Sequence, residues 1–132
     1  MKGVNAYRRT SVSTADPMDI VIALYDGLLR NLNAAQLAFE ESKRAEAGER
    51  LGKALAIVNE LDASLDTKVG GEFSQQLSTL YAWFQQELLT ASLKSDATKL
   101  APVVQMVSEL REAWHVAATT LRAAGTGIAK AG

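Results

Sequence analysis

The sequence predicts an all-α protein: an antiparallel four-helix bundle with an irregular N-terminal cap segment. Three observations support this prediction. Apolar residues recur every three or four positions in four stretches, which is the repeat of an amphipathic helix and not the alternation of a strand. Polar or glycine-containing stretches separate these repeats. The chain has 132 residues and is 48% hydrophobic, which is enough for one domain with one core.

The first helix is predicted over about residues 17–43. Asp16 can cap its first amides, and Pro17 suits the first helical position, where no amide proton is needed. Its predicted core face carries Val21, Tyr25, Leu28, Leu32, Ala35 and Phe39, with Ile22 as a further core candidate. A polar stretch that contains Gly48 follows, so the first turn is predicted near residues 44–48.

The second helix is predicted to end before Gly70 and Gly71, because glycine readily adopts the left-handed conformation that closes a last helical turn. Its apolar repeat is Leu51, Ala54 or Leu55, Val58, Leu61 and Leu65. The third helix then opens at Glu72, since an acidic residue is favoured in a first turn. Its apolar repeat is Phe73, Leu77, Leu80, Phe84, Leu88 and Ala91.

The fourth helix has the most regular pattern, which is Leu100, Val103, Val107, Leu110, Trp114, Ala117 and Leu121. Asp96 is predicted to cap its start, and Pro102 is tolerated in a first turn. Four helices of about 20 residues joined by short turns lie antiparallel. The bundle is therefore predicted over residues 16–122, between a flexible N-terminal cap segment, residues 1–15, and a flexible C-terminal tail, residues 123–132.

The sequence lacks the residue arrangements typical of a catalytic or metal site. His115 follows Glu112 at the Glu-x-x-His spacing of di-iron bundles, but such sites need that motif twice and the chain has one histidine. A reactive histidine in a signalling bundle is one remaining interpretation, and an exposed histidine beside a core tryptophan is the other. There is no cysteine and no pair of acids in an apolar setting. The sequence predicts no enzyme activity, no metal and no cofactor.

Charge and hydropathy argue against two further classes of protein. Nucleic-acid-binding proteins normally carry a basic face, whereas this chain has a net charge of −1 with both signs mixed, so no nucleic-acid binding is predicted. No stretch reaches the about 20 apolar residues that span a bilayer, so no membrane insertion is expected. The absence of cysteine and of an apolar N-terminal signal run favours the cytosol.

Three of the predicted helices carry more apolar residues than a core face requires. One bundle face uses about three of every seven positions, yet residues 20–25 are all apolar and residues 103–107 nearly so. Exposed apolar patches mark binding sites for other proteins. The candidate partner-binding residues, which lie off the predicted core faces, are Ile20, Leu24, Trp83, Val104 and Met106. A fold-back of the N-terminal segment over this surface is a compatible alternative.

Short motifs along the chain match a known family in order and spacing. They are Tyr7, Thr14-Ala15-Asp16-Pro17, Leu24-Tyr25-Asp26-Gly27, Leu61-Asp62-Ala63-Ser64-Leu65-Asp66, Gly70-Gly71-Glu72, Leu80-Tyr81 and Leu110-Arg111-Glu112-Ala113-Trp114. Each motif is short, but their order in a chain of this length is specific. Across roughly residues 5–115, the sequence resembles the flagellar secretion chaperone family FliS.

The resemblance implies a helical bundle that acts as a cytosolic export chaperone for flagellin. Such a chaperone binds the disordered C-terminal segment of flagellin, prevents its premature polymerisation and assists its delivery to the flagellar type III export gate. The implied partners are flagellin, the export-gate protein FlhA and the anti-sigma factor FlgM. Tyr7 is carried over as the family's cap residue, and Tyr25 as a motif residue of the partner-binding set.

The apolar excess suits a client of this kind. A disordered amphipathic segment can fold as it binds, and the cost of ordering keeps its complex releasable. The alternative function is a self-associating helical-bundle structural protein with no client, in which the same apolar stripes form a homodimer.

Overall fold

The computed structural model describes residues 17–65 and 67–131, with side chains for residues 17–65 and 71–124. It contains four α-helices and one short 3-10 turn: α1 (Pro17–Glu40), α2 (Arg44–Ala63), α3 (Thr67–Lys94), the 3-10 turn (Ala97–Lys99) and α4 (Leu100–Ala131). The described residues include no β-strand, so the all-α prediction is confirmed. Tyr7, Asp16, Asp66 and the predicted cap segment, residues 1–15, lie outside the described residues.

The helices pack around one core in the order that their connections dictate. α1 lies between α2 and α4, and α2 lies beside α3. α3 and α4 approach each other closely at fewer points than the other neighbouring pairs do. Consecutive helices joined by a few residues must run antiparallel. The predicted antiparallel four-helix bundle is confirmed.

The core is built from one apolar stripe of each helix, close to the stripes that the sequence predicts. The largest contributors are Tyr25, Leu28 and Leu32 from α1, Leu51, Val58 and Leu61 from α2, Tyr81, Phe84 and Leu88 from α3, and Leu100, Val103 and Val107 from α4. Full burial of such a side chain contributes about 1.5–3 kcal/mol, so these stripes dominate the stability of the fold.

Several positions depart from the predicted core, and on α4 the buried residue is Ala118 in place of the predicted Ala117. Ile22 is buried while its neighbour Val21 is only partly so, and Tyr81 takes the central place in α3 that the sequence assigns to Leu80. Phe73 and Leu121, both predicted to be core residues, are each 59% exposed. Each lies near one end of the bundle, where fewer neighbouring helices cover it.

The first turn comes earlier than the glycine pattern predicts. α1 ends at Glu40 and α2 begins at Arg44, so the predicted turn over residues 44–48 is wrong and Gly48 lies inside α2. Ser42 makes the turn with φ 60°, and the Lys43 amide donates to the Ala38 carbonyl at 2.7 Å. Serine has a steric cost in this left-handed region. Composition alone therefore points to the glycine rather than to the serine.

The two adjacent glycines interrupt α3 instead of ending α2. α2 ends at Ala63, and the Ser64 hydroxyl donates to the Leu61 carbonyl at 2.7 Å. Gly71 has φ 54° and ψ −127°, which breaks the helix one turn after its start. The uninterrupted part of α3 then begins at Glu72, as the sequence predicts.

The start of α4 follows the prediction and its end extends beyond it. Asp96 accepts the Thr98 amide at 3.0 Å and so caps the 3-10 turn that leads into α4, whose first turn contains Pro102. The bounds of α4 include residues 123–131, for which the sequence predicts a flexible tail. A helical conformation does not decide whether a segment is flexible, so the flexibility of the tail stays a prediction.

A glycine inside α1 lies beside α2. Gly27 is buried, and a Cβ on it would lie 3.4 Å from Ile57 Cδ1. Glycine costs about 1 kcal/mol relative to alanine inside a helix. The position therefore has room for little more than a hydrogen atom or a methyl group.

Two glycines allow a matched test of the backbone. Gly71→Ala is expected to lower the free energy of unfolding by about 1–2 kcal/mol, because positive φ is strained for a residue with a Cβ. Gly52→Ala is expected to raise it by about 1 kcal/mol, because Gly52 lies inside α2 and a Cβ there meets no atom within 4 Å. Urea unfolding followed by circular dichroism measures both. Changes of the same sign would contradict the backbone conformation assigned to Gly71.

Candidate protein-binding surface

Three polar atoms in the core fix α1, α3 and α4 relative to one another. The hydroxyls of Tyr25 in α1 and Tyr81 in α3 share a hydrogen bond, and the Trp114 indole N–H in α4 donates to the Tyr25 hydroxyl at 3.3 Å. Both tyrosines are buried. Because a buried hydroxyl without a partner is costly, a shift of one helix by a turn would be penalised. This tyrosine–tryptophan cluster therefore sets which face of each helix points outward.

Two ion pairs join α1 to α4 beside this cluster. Arg111 Nε donates to Asp26 Oδ1 at 2.9 Å, and Arg122 pairs with Asp19. All four side chains are partly exposed, so each pair contributes at most about 1 kcal/mol. The pairs lie on the α1–α4 side of the bundle.

α3 carries most of the large apolar side chains that are exposed in the described part of the chain. Phe73, Trp83, Leu89 and Leu93 are 59%, 38%, 48% and 78% exposed. The core face of α3 is already used by the bundle, so Leu89 and Leu93 form a second apolar face on the same helix, whereas Phe73 continues the core stripe at its exposed end and Trp83 points to another side. An apolar surface of this kind marks a site for another protein.

A groove between α2 and α3 belongs to this second face. It is lined by Leu55, Asn59, Ala82, Gln85, Gln86 and Leu89. Ala82, Gln86, Leu89 and Leu93 follow at spacings of four, three and four residues, so they share one side of α3. We call the six lining residues, together with Leu93 one turn beyond Leu89, the α2–α3 groove. Gln85 of α3 donates a hydrogen bond to Asn59 of α2 across it.

The sequence-predicted partner-binding residues lie at different depths. Trp83 is exposed on α3, with its ring 5.7 Å from the Phe84 ring. Leu24, Val104 and Met106 are partly buried and pack against the core, and Ile20 is partly buried in the first turns of α1. The five residues are divided among α1, α3 and α4.

Tyr25 occupies a different position from the one expected of a contact residue. Its side chain has no exposed surface. Tyr25 therefore lies in the core, as its place on the predicted core face of α1 indicates, and it holds α3 and α4 through its hydroxyl. Its membership of the partner-binding set stays a prediction. Its burial follows from its place on the core face of α1, one turn before Leu28.

The partner-binding residues predicted from the sequence do not include Leu89 or Leu93. Leu88 and Leu89 are adjacent and point in clearly different directions from the helix, so a core stripe centred on Leu88 leaves Leu89 at its edge. Leu93 stands two residues after Ala91, off the predicted stripe. These two signals are present in the sequence and identify the second face once the core face is known.

Within the described residues, no side-chain cluster suits a metal ion. No group of three or more His, Cys, Asp or Glu side chains comes together there. His115 is exposed on α4, and its backbone carbonyl accepts a hydrogen bond from the Thr119 hydroxyl. None of the described helices is both long enough and apolar enough to cross a bilayer.

Known proteins resemble this chain over most of its length. Residues 1–121 match the family Flagellar protein FliS. The flagellar secretion chaperone FliS of Salmonella typhimurium is 37% identical over 117 residues, which cover 85% of this chain and 87% of that protein. The flagellar secretion chaperone FliS of Bacillus subtilis is 33% identical over 112 residues, which cover 85% and 83% of the two chains.

A solved structure shows the same fold. A crystal structure of a flagellar chaperone from bacteria superposes with a TM-score of 0.76 at 19% identity. The superposition covers 91% of this chain and 98% of that one. At so low an identity, the likeness establishes the arrangement of the helices alone.

The tyrosine–tryptophan cluster predicts a specific loss of stability. Tyr81→Phe removes one partner of the Tyr25 hydroxyl, so the free energy of unfolding should fall by about 1–2 kcal/mol. Thr79→Val is the control, because Thr79 is exposed on the same helix and should change stability by less than about 0.5 kcal/mol. Urea unfolding compares the two. An unchanged Tyr81→Phe variant would show that the hydrogen bond does not hold the helices.

The same cluster predicts a loss of stability at alkaline pH. Burial raises the pKa of Tyr25 and of Tyr81 above the ordinary value of 10.0. Their neutral forms therefore stabilise the fold fully below pH 10, and that contribution is lost as the pH rises above it. The free energy of unfolding should fall above about pH 10 more steeply in the wild type than in the Tyr25→Phe/Tyr81→Phe variant. Equal slopes would contradict this assignment.

Proposed function

The chain belongs to the FliS family of flagellar secretion chaperones, and we propose that it binds the disordered C-terminal segment of flagellin. It prevents premature polymerisation of flagellin in the cytosol and assists its delivery to the flagellar type III export gate. FlhA is the proposed partner at that gate, and the anti-sigma factor FlgM is a further proposed partner. The chain acts by binding and not by catalysis.

The observation that carries this proposal is the exposed apolar face of α3 with its groove toward α2. Leu89 and Leu93 are 48% and 78% exposed, so both side chains are available for burial by a client. Complete burial of an exposed leucine is worth about 1.5–3 kcal/mol, so a few such contacts support binding. A client that is disordered before binding can fold to match the groove, and its ordering cost keeps the complex releasable.

The residues predicted from sequence extend the proposed contact around the bundle. Trp83 lies on α3 outside the groove, and Val104 and Met106 lie on α4. Ile20 and Leu24 lie at the start of α1, and Tyr7 lies in the segment before it. A flexible client can follow such a discontinuous path because it need not present one flat surface.

A pair of matched substitutions tests the proposal. Leu89→Asp places a charge in the groove, so it should weaken binding of a flagellin C-terminal peptide by about tenfold or more. Leu37→Asp is the control, because Leu37 on α1 is 54% exposed, similar to the 48% of Leu89, and lies outside the groove. Isothermal titration calorimetry gives both dissociation constants, and circular dichroism verifies that both variants are folded.

Two results would contradict the proposed function. If the wild type failed to bind the peptide and light scattering showed a stable dimer, the self-associating structural protein would be the better explanation. If Leu37→Asp weakened binding as much as Leu89→Asp, the groove between α2 and α3 would not be the main contact.

A further inference from the structure

The solvent-facing side of α3 is almost free of charge. Between Phe73 and Leu93 the only charged residue is Glu87, which is partly buried, whereas α2 has seven charged residues between Arg44 and Ala63. The exposed positions of this stretch include Gln75, Gln76, Thr79, Ala82, Trp83, Gln86, Leu89 and Leu93. Helix faces exposed to water are normally charged, and loss of charge is typical of the centre of a protein interface.

The walls of the α2–α3 groove determine the conformation of its occupant. Both walls are α-helices, whose backbone amides and carbonyls bond within the helix. An extended peptide would find no backbone groups to pair with and would lose its own bonds to water. A helix satisfies its own backbone and can place an apolar stripe between the two walls. The stripe from Ala82 to Leu93 is about 16 Å long, equivalent to about three helical turns.

The chemistry of the groove determines the side chains beside that stripe. Its polar groups are the amides of Gln85, Gln86 and Asn59, two of which already pair with each other. A lysine or glutamate of a partner would lose water here and meet no opposite charge on α3. Amide and hydroxyl side chains can instead exchange hydrogen bonds with the glutamines.

We propose that the α2–α3 groove selects a helical segment of about three turns whose apolar stripe is flanked by uncharged amide and hydroxyl side chains. The proposal rests on the proposed function, in that it names the chemical class of the client at this surface. Binding is driven by apolar burial and is nearly independent of ionic strength.

Designed peptides test the selection directly. Three helical peptides share one leucine and alanine stripe and differ in their flanking residues, which are glutamine with serine, lysine, or glutamate. In calorimetry with the full chain, the neutral peptide should bind about tenfold more tightly than either charged peptide. Its Kd should change by less than about twofold between 0.05 and 0.5 M NaCl. No binding of the neutral peptide, tighter binding of a charged one, or a steep salt dependence would overturn the inference.

Substitutions of opposite charge at one position provide a second test. Gln86 is exposed in the groove, and both Gln86→Lys and Gln86→Glu should weaken binding of the neutral peptide by about fivefold. Asn33→Lys and Asn33→Glu are the controls, because Asn33 is exposed on α1 outside the groove, and they should have no effect. If either change at Gln86 strengthened binding of the neutral peptide or left it unchanged, the inference would be wrong.

The flagellin C-terminal segment distinguishes this inference from the proposed function. If flagellin bound with a steep salt dependence, the function would stand and the inference would fall. If flagellin did not bind while the neutral peptide was selected, the function would fall and the chemistry of the groove would stand.

Discussion

The rest of the structure depends on a geometric constraint: a helix can turn only one face toward a core, and α3 has apolar residues on two. The first face, with Tyr81, Phe84 and Leu88, completes the bundle. The second face, with Leu89 and Leu93, lies toward solvent beside α2. The proposed binding surface is thus formed by the bundle helices themselves.

Hydrogen bonds inside the core determine which of the two faces of α3 points inward. The hydroxyl of Tyr81 pairs with that of Tyr25, which also accepts from Trp114, so α1 is held to both α3 and α4. Asp26, the next residue after Tyr25, pairs with Arg111 on α4. Two neighbouring residues of α1 therefore differ in role. Tyr25 orients the helices from inside the core, and Asp26 binds α4 at the surface. Both belong to the short motif that the sequence shares with its family.

The fold class and the four core stripes follow from the sequence, because helical periodicity is local and burial enforces it. The turns are less predictable: Ser42 reverses the chain with positive φ, while Gly48, the expected turn residue, is accommodated in α2. Of the site, Trp83 is predicted and found exposed, whereas Leu89 and Leu93 are missed. Whether a residue next to a core stripe is covered depends on which helix packs beside it, and this is a property of the assembled bundle. The identity of a client follows from the family and not from this geometry.

The two tryptophans give the protein a built-in optical signal with separable sources. Trp83 stands on the exposed face of α3, and Trp114 is partly buried and hydrogen-bonded to Tyr25. Indole fluorescence depends on the polarity around the ring. A partner that covers Trp83 changes the emission of Trp83, whereas loosening of the core changes the emission of Trp114. Replacing one tryptophan by phenylalanine leaves the other as a single label-free probe. Occupancy of the surface and integrity of the core can therefore be followed separately, without an attached dye.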